Sequence, residues 1–158
     1  MNDFEISVIG SVLLTNGKAL DDLTLTPDDF LDPSNEIIYK TMLEMKHHRN
    51  PIDVITVGAR LPKLASYLHD AITGTPTAAS VDFYASKVVE ESTRRRLSAA
   101  ASVISETAKY SDLAEVMDKA KKSIDGIIER NIAVKPSYVD DELIPYPVSY
   151  THLTLPTN

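Results

Sequence analysis

Residues Tyr84 to Tyr110, YASKVVEESTRRRLSAAASVISETAKY, fall in the longest stretch of the chain without glycine or proline, and their apolar members recur at helical spacing. The spacing predicts one long helix. At about 100° per residue, Val81, Tyr84, Ala85 and Val88 make one stripe, and Leu97, Ala100, Ala101, Ile104 and Ala108 make a second, displaced by roughly 150° around the axis. Such a helix changes partners midway. Its first stripe belongs to the segments before it and its second to the segment after it. Arg94, Arg95 and Arg96 lie between the stripes and point in three directions.

Beyond the long helix comes a short connection, Lys109 to Asp112, and then Asp112-Leu-Ala-Glu115 in capping-box form. Leu113, Val116, Met117, Ala120, Ile124, Ile127 and Ile128 succeed it at helical steps, which pairs this segment with the second stripe as an antiparallel hairpin. A hairpin is a single layer, too thin to cover two long apolar stripes by itself. It is expected to find another copy of the chain or another protein. Leu97, Ile104, Leu113, Met117, Ile124, Ile127 and Ile128 are the candidate interface residues, some of them packing within the hairpin itself.

The residues before the long helix read as a small helical bundle. Asn2 or Asp3 caps a first helix with Ile6, Ile9, Gly10 and Leu13 on one side, in which Gly10 permits a close helix crossing. Asn16-Gly17 makes a turn. Thr26-Pro27-Asp28-Asp29-Phe30 has the order of a short helix start, with Phe30 as its anchor. A helix from Asp32-Pro33 turns Ile37, Ile38, Met42 and Met45 inward; Asp53 caps the next, which Pro62 stops; and Tyr67, Leu68 and Ala71 mark one more. No strand signal survives, since Leu23 to Thr26 alternates only briefly before Pro27. The expected class is all-α: a globular bundle over 1–92, a hairpin over 93–131, and a disordered or non-native tail over 132–158, where Pro136, Pro145, Pro147 and Pro156 interrupt any helix.

Composition narrows the function classes. No apolar run is long enough to span a bilayer and the start lacks a basic flank, so a cytoplasmic protein with no membrane partner is expected. Zero cysteines exclude disulfides, thiolate catalysis and cysteine-ligated metal. A net charge of −7 opposes strong direct nucleic-acid binding, and the distribution sharpens this: residues 1–92 carry 7 basic and 14 acidic side chains, against 8 and 6 in 93–131.

No reaction chemistry emerges. Gly10 to Lys18 only faintly resembles a phosphate loop: its glycines are too far apart and Ala19 stands where a hydroxyl should hold magnesium, so it reads as a helix followed by a turn. His47 and His48, adjacent on a helix, point away from each other, and His69 has no partner at ligand spacing, so no metal site is expected. Asp21-Asp22, Asp28-Asp29 and Asp140-Asp141-Glu142 read as capping and solvated acids. The triple arginine reads as a solvated face pairing with Glu90, Glu91 or nearby acids rather than as a phosphate contact.

Several segments share an order and spacing: Glu5 to Leu14 (EISVIGSVLL), Leu25 to Phe30 (LTPDDF), Ile37 to Tyr39 (IIY), Pro51 to Val57 (PIDVITV) with Leu61, Tyr67-Leu68, Thr75 to Ala79 (TPTAA), Tyr84-Ala85 with Val88, and Arg95 to Leu97 (RRL). Across 5–131 they resemble the N-terminal domain of DnaB-type replicative DNA helicases. Asn35 departs from that pattern, where the family often has His, and the connection before Tyr67 is shortened to Pro62 to Ser66. The resemblance implies a helical bundle and a hairpin that pairs between subunits, as dimers or a trimer of dimers, into a collar above a ring of RecA-like motors. It implies the primase C-terminal domain, and in some cases a helicase loader, as partners. ATP and magnesium would act in the RecA-like domain, so no catalytic, cofactor-binding or metal-binding residue carries over to this chain. The ending VSYTHLTLPTN reads as a foreign or read-through end, and the expectation is a truncated or fragmentary helicase gene from a bacterium or phage. The rivals are a free-standing helical adaptor, for example phage-encoded, that binds the helicase or primase, and a small enzyme built on the dispersed acids and histidines.

Overall fold

The structure, a computed structural model, describes residues 3–133. Six α-helices carry it: α1 (Asp3–Leu14), α2 (Pro33–His47), α3 (Val54–Arg60), α4 (Ala65–Gly74), α5 (Val81–Thr107) and α6 (Leu113–Ala133). Short 3-10 turns fill the connections, and none of the described residues lies in a strand. The fold is the all-α arrangement expected. Of the tail expected over 132–158, residues 132 and 133 belong to α6, and the rest, with Asp140-Asp141-Glu142, lies outside the described residues.

The core is organised around α1. Val8, Ile9, Val12 and Leu13 are buried together with Glu5 and Ser11, so the helix is enclosed on more than one face, by α2, α4 and α5. The one-sided pattern read from the sequence is therefore too narrow: Ile6 is only half-buried, and the true inward set wraps the axis, as in a helix surrounded by neighbours. Gly10 allows α4 to approach. A Cβ there would overlap Thr75 Oγ1 and the Ala71 carbonyl oxygen and come within 2.8 Å of Thr75 Cβ. The chain then turns at Asn16 and Gly17, both at positive φ, so Gly10 to Lys18 is the helix followed by a turn that the sequence suggests.

Local chemistry starts each remaining element. The Asp32 carboxylate accepts the Ser34 amide at 2.8 Å at the head of α2, and Asp53 accepts the Ile55 and Thr56 amides, both at 2.8 Å, at the head of α3. On α2, Ile38, Tyr39, Met42 and Met45 are buried whereas Ile37 is exposed, a correction to its expected inward position. Two neighbouring isoleucines on a helix lie about 100° apart, and the core takes the second because Tyr39 joins it. His48 leaves the helix as its cap, and this lets its ring meet that of His47 edge-to-face at 5.2 Å instead of pointing away.

The long helix begins three residues earlier than the sequence suggests, and its first stripe closes the bundle through Ala85 and Val88. Past Ser92 the packing changes character. None of residues 93–130 is buried, and α6 packs against α5 with only sparse contact elsewhere.

Candidate interaction site

The hairpin has two kinds of apolar position, and burial separates them. Past Ser92 the half-buried residues of α5, Arg95 at the bundle contact aside, are Thr93, Arg96, Ala100, Ile104 and Thr107; on α6 they are Val116, Ala120, Ser123, Ile127 and Arg130. Each set runs at steps of three and four, so these are the facing seams of the two helices. Small residues in the seams let the helices lie close. Ile104 and Ile127, two of the seven candidate residues, belong here.

The other five lie on an open face. Leu97, Leu113, Met117, Ile124 and Ile128 are between 43% and 77% exposed. Met117, Ile124 and Ile128 each follow an α6 seam residue by one position, and Leu97 follows Arg96 on α5 in the same way. In an antiparallel pair of right-handed helices, one step forward from each seam leads to the same side. Four α6 residues and one from α5 thus line one side of the hairpin as an apolar strip, with Leu113 at its tip and Lys121, which follows the seam residue Ala120 by the same step, interrupting it between Met117 and Ile124. Val103, also exposed, precedes its seam residue and faces the opposite side.

Where the hairpin meets the bundle, one carboxylate gathers partners from three parts of the chain. Asp29, 1% exposed, sits in the 3-10 turn Pro27–Asp29. The Thr26 amide and hydroxyl donate to its Oδ2 at 2.8 and 3.1 Å, the capping role expected. The Ser92 hydroxyl of α5 donates to Oδ1 at 2.8 Å, and the Arg96 guanidinium lies 3.4 Å from the same oxygen. Arg130, near the end of α6, donates to Oδ2 at 2.6 Å and also to the Thr26 hydroxyl. The Asp29 carbonyl accepts Arg95 at 2.7 Å. Burial pushes the Asp29 carboxyl up, but the hydrogen bonds from Thr26 and Ser92 and the charge and hydrogen bond of Arg130 outweigh it and hold the group below the usual 3.8. Burial, and then the nearby Asp29 charge, push the Tyr39 phenol well above its ordinary value.

Two readings from the sequence are corrected here. Asp29 is a capping acid but not a solvated one. Of the three arginines, Arg94 pairs with Glu90 at 2.7 Å as expected, and hydrogen bonds from Lys87 and Arg94 hold the Glu90 carboxyl down to about 2. Arg95 and Arg96 instead turn to Asp29. The sequence signal was present in part: an acid behind Thr-Pro, and arginines where a helix changes face.

A second buried carboxylate, Glu5 of α1, accepts the Leu31 and Asp32 amides at 2.7 and 3.2 Å and Asn35 Nδ2 at 3.0 Å, while Asn35 Oδ1 accepts the Tyr67 hydroxyl at 2.8 Å. This network ties α1, α2 and α4 together. It gives Asn35 a structural role in the bundle interior. A groove of about 470 Å³ beside it, between α1, α4 and α5, is lined by aromatic rings and the carboxylates of Asp3 and Asp70, with no histidine, lysine or arginine to complete an acid–base pair.

Comparison with known proteins meets this geometry from outside. The family model described as the DnaB-like helicase N terminal domain matches residues 1–90. The replicative DNA helicase DnaB of Mycobacterium leprae is 32% identical, with 89% of this chain and 26% of that protein covered. The replicative DNA helicase DnaC of Bacillus subtilis is 29% identical, with coverages of 89% and 33%. The chain spans only about a quarter to a third of the length of these relatives. Among solved structures, the N-terminal domain of DnaB helicase from Mycobacterium tuberculosis matches at 34% identity and a TM-score of 0.68, over 77% of this chain and 94% of that one. A DnaB-like replicative helicase whose interactions with primase have been described shares the fold at 20% identity and a TM-score of 0.68, over 80% of this chain and 30% of that one.

Proposed function

The chain belongs to the DnaB-like helicase N-terminal domain family, and on that premise we propose that it is a protein-interaction module of the replication machinery, one that assembles copies of itself and recruits partners without performing a reaction. The observation that carries this reading is the apolar strip of Leu97, Leu113, Met117, Ile124 and Ile128, left open along one side of the hairpin. An apolar strip of this length on a helical pair has the form of a helix-packing interface. A second copy presenting the same strip would cover it about a two-fold axis, and three such pairs would make a trimer of dimers.

The primase C-terminal domain is the partner we assign to the assembled collar, with a helicase loader as a further one. Support comes from the structural neighbour known with its primase interactions, whose fold this chain shares. ATP hydrolysis and strand separation belong, on this reading, to the parts of the relatives outside the match, together with ATP and magnesium. The two relatives named above are replicative DNA helicases, which favours this reading over a free-standing adaptor.

Sedimentation of the purified chain across micromolar concentrations tests the proposal. Reversible self-association that Ile124→Asp weakens is the expected outcome. A strictly monomeric mass over that range, or an oligomer untouched by Ile124→Asp in a folded protein, would count against it.

A further inference from the structure

The hairpin has no interior of its own beyond its seam, so something else must fix its direction. Past Ser92 no residue up to 130 is buried, and α6 touches little besides α5. Of the α6 side chains described, Arg130 is the one that hydrogen-bonds to the bundle, and it does so at Asp29 and Thr26. The loop between α5 and α6 lies at the far end, so the hairpin is held at its base by α5 itself and by this contact. On α5 the same carboxylate takes Ser92 and Arg96, and the Asp29 backbone takes Arg95. Four side chains from two helices therefore converge on one residue of a 3-10 turn.

We propose that Asp29 is the positioning residue of the hairpin: by holding Arg130 of α6 and Ser92 and Arg96 of α5 at one point, it sets the angle at which the apolar strip is presented to a second copy. This rests on the self-association reading above. The physical basis is the geometry of the contact. A carboxylate shielded from solvent and bonded through both oxygens is directional, whereas the seam, made of Ala100, Ala120 and Ser123 among others, tolerates sliding and rotation. Three basic side chains at the hairpin base, Arg95, Arg96 and Arg130, are directed inward to this one residue.

The test uses Asp29→Asn, Arg130→Gln and the double variant, in the full chain. Amide exchange at residues 124–130 is read in dilute protein, where no interface protects them, and self-association is read by sedimentation. Either single variant is expected to speed exchange at 124–130 by about tenfold or more while α1 amides keep their protection, with the double variant no faster than the singles. Dissociation constants are expected to rise about tenfold in parallel. Arg130 is at the periphery, so Arg130→Gln keeps the test alive where Asp29→Asn fails to fold. Unchanged exchange at 124–130, or additive effects in the double variant, overturns the proposal. Faster exchange with unaltered self-association overturns the positioning role. A monomeric wild-type chain overturns the self-association reading instead, and with it presentation to a second copy, while the exchange data still decide whether Asp29 holds the hairpin.

Discussion

Asn35 bridges Glu5 and Tyr67, donating to the Glu5 carboxylate at 3.0 Å and accepting the tyrosine hydroxyl at 2.8 Å. The bridge sits where three helices meet, and the Glu5 side chain also takes the two amides that lead into α2.

Glu5→Ala would leave the Leu31 and Asp32 amides and Asn35 Nδ2 without their acceptor inside the bundle. A loss of about 2–4 kcal/mol in unfolding free energy is expected, from donors stripped of a charged acceptor. Urea titration followed by helical circular dichroism reads it; a loss below about 0.5 kcal/mol would mean that water replaces the carboxylate at little cost.

Gly10→Ala addresses the contact between α1 and α4. The added methyl collides with Thr75 Oγ1 and with the Ala71 backbone, which cannot swing aside. Overpacking of this kind costs about 1–3 kcal/mol, more than the gain in helix propensity returns. A variant as stable as the wild type would show that the helices can separate without penalty.

Acid should weaken the fold through Asp29. Its carboxyl is held below 3.8 in the folded chain, so the unfolded chain takes up the proton first as pH falls. The stability it contributes is fully present above 3.8 and is lost as pH drops through that value and on through the lower folded one. Between about pH 5 and about pH 3, the urea midpoint of the wild type is expected to fall further than that of Asp29→Asn. Equal declines would assign the acid sensitivity to other carboxylates.

Ile104 and Ile124 separate seam from open face. Ile104→Ala is expected to cost the monomer about 1 kcal/mol with little direct effect on association, as a half-shielded position in a thin interface. Ile124→Asp is expected to raise the dissociation constant by about tenfold or more and to leave the monomer's thermal midpoint within a few degrees. The reverse pattern would exchange the two assignments.

What could be read from the amino acids was whatever depends on near neighbours. Asp32 and Asp53 cap because a carboxylate two or three residues before an amide has few other places to go; Asn16-Gly17 turns because both tolerate positive φ; the long helix follows from spacing alone. Pattern could not show which neighbour a face meets. Ile37 and Ile38 are the same residue type side by side, and only the placement of α2, which turns Ile38 and Tyr39 into the core, decides that the first stays exposed. Leu97, Ile104, Ile124 and Ile127 looked equivalent for the same reason, because one residue of rotation divides seam from strip. Asp29 is the sharpest case. A capping acid has the same local sequence whether it faces water or a guanidinium, and its partners Ser92 and Arg130 lie 63 and 101 residues away.

The unbroken run of α5 from Val81 to Thr107 extends about 40 Å, with its first turns embedded in the bundle and the rest projecting. It is a cantilever. A tug on the tip near Lys109 is delivered as torque to Ala85 and Val88, because no glycine or proline along the beam offers a place to yield. Mechanical load on an assembled pair of hairpins would therefore be borne by the packing of the bundle, and the stiffness of any ring built from them would be set by how firmly α1 grips the root of α5 and by the Asp29 contact that braces its base.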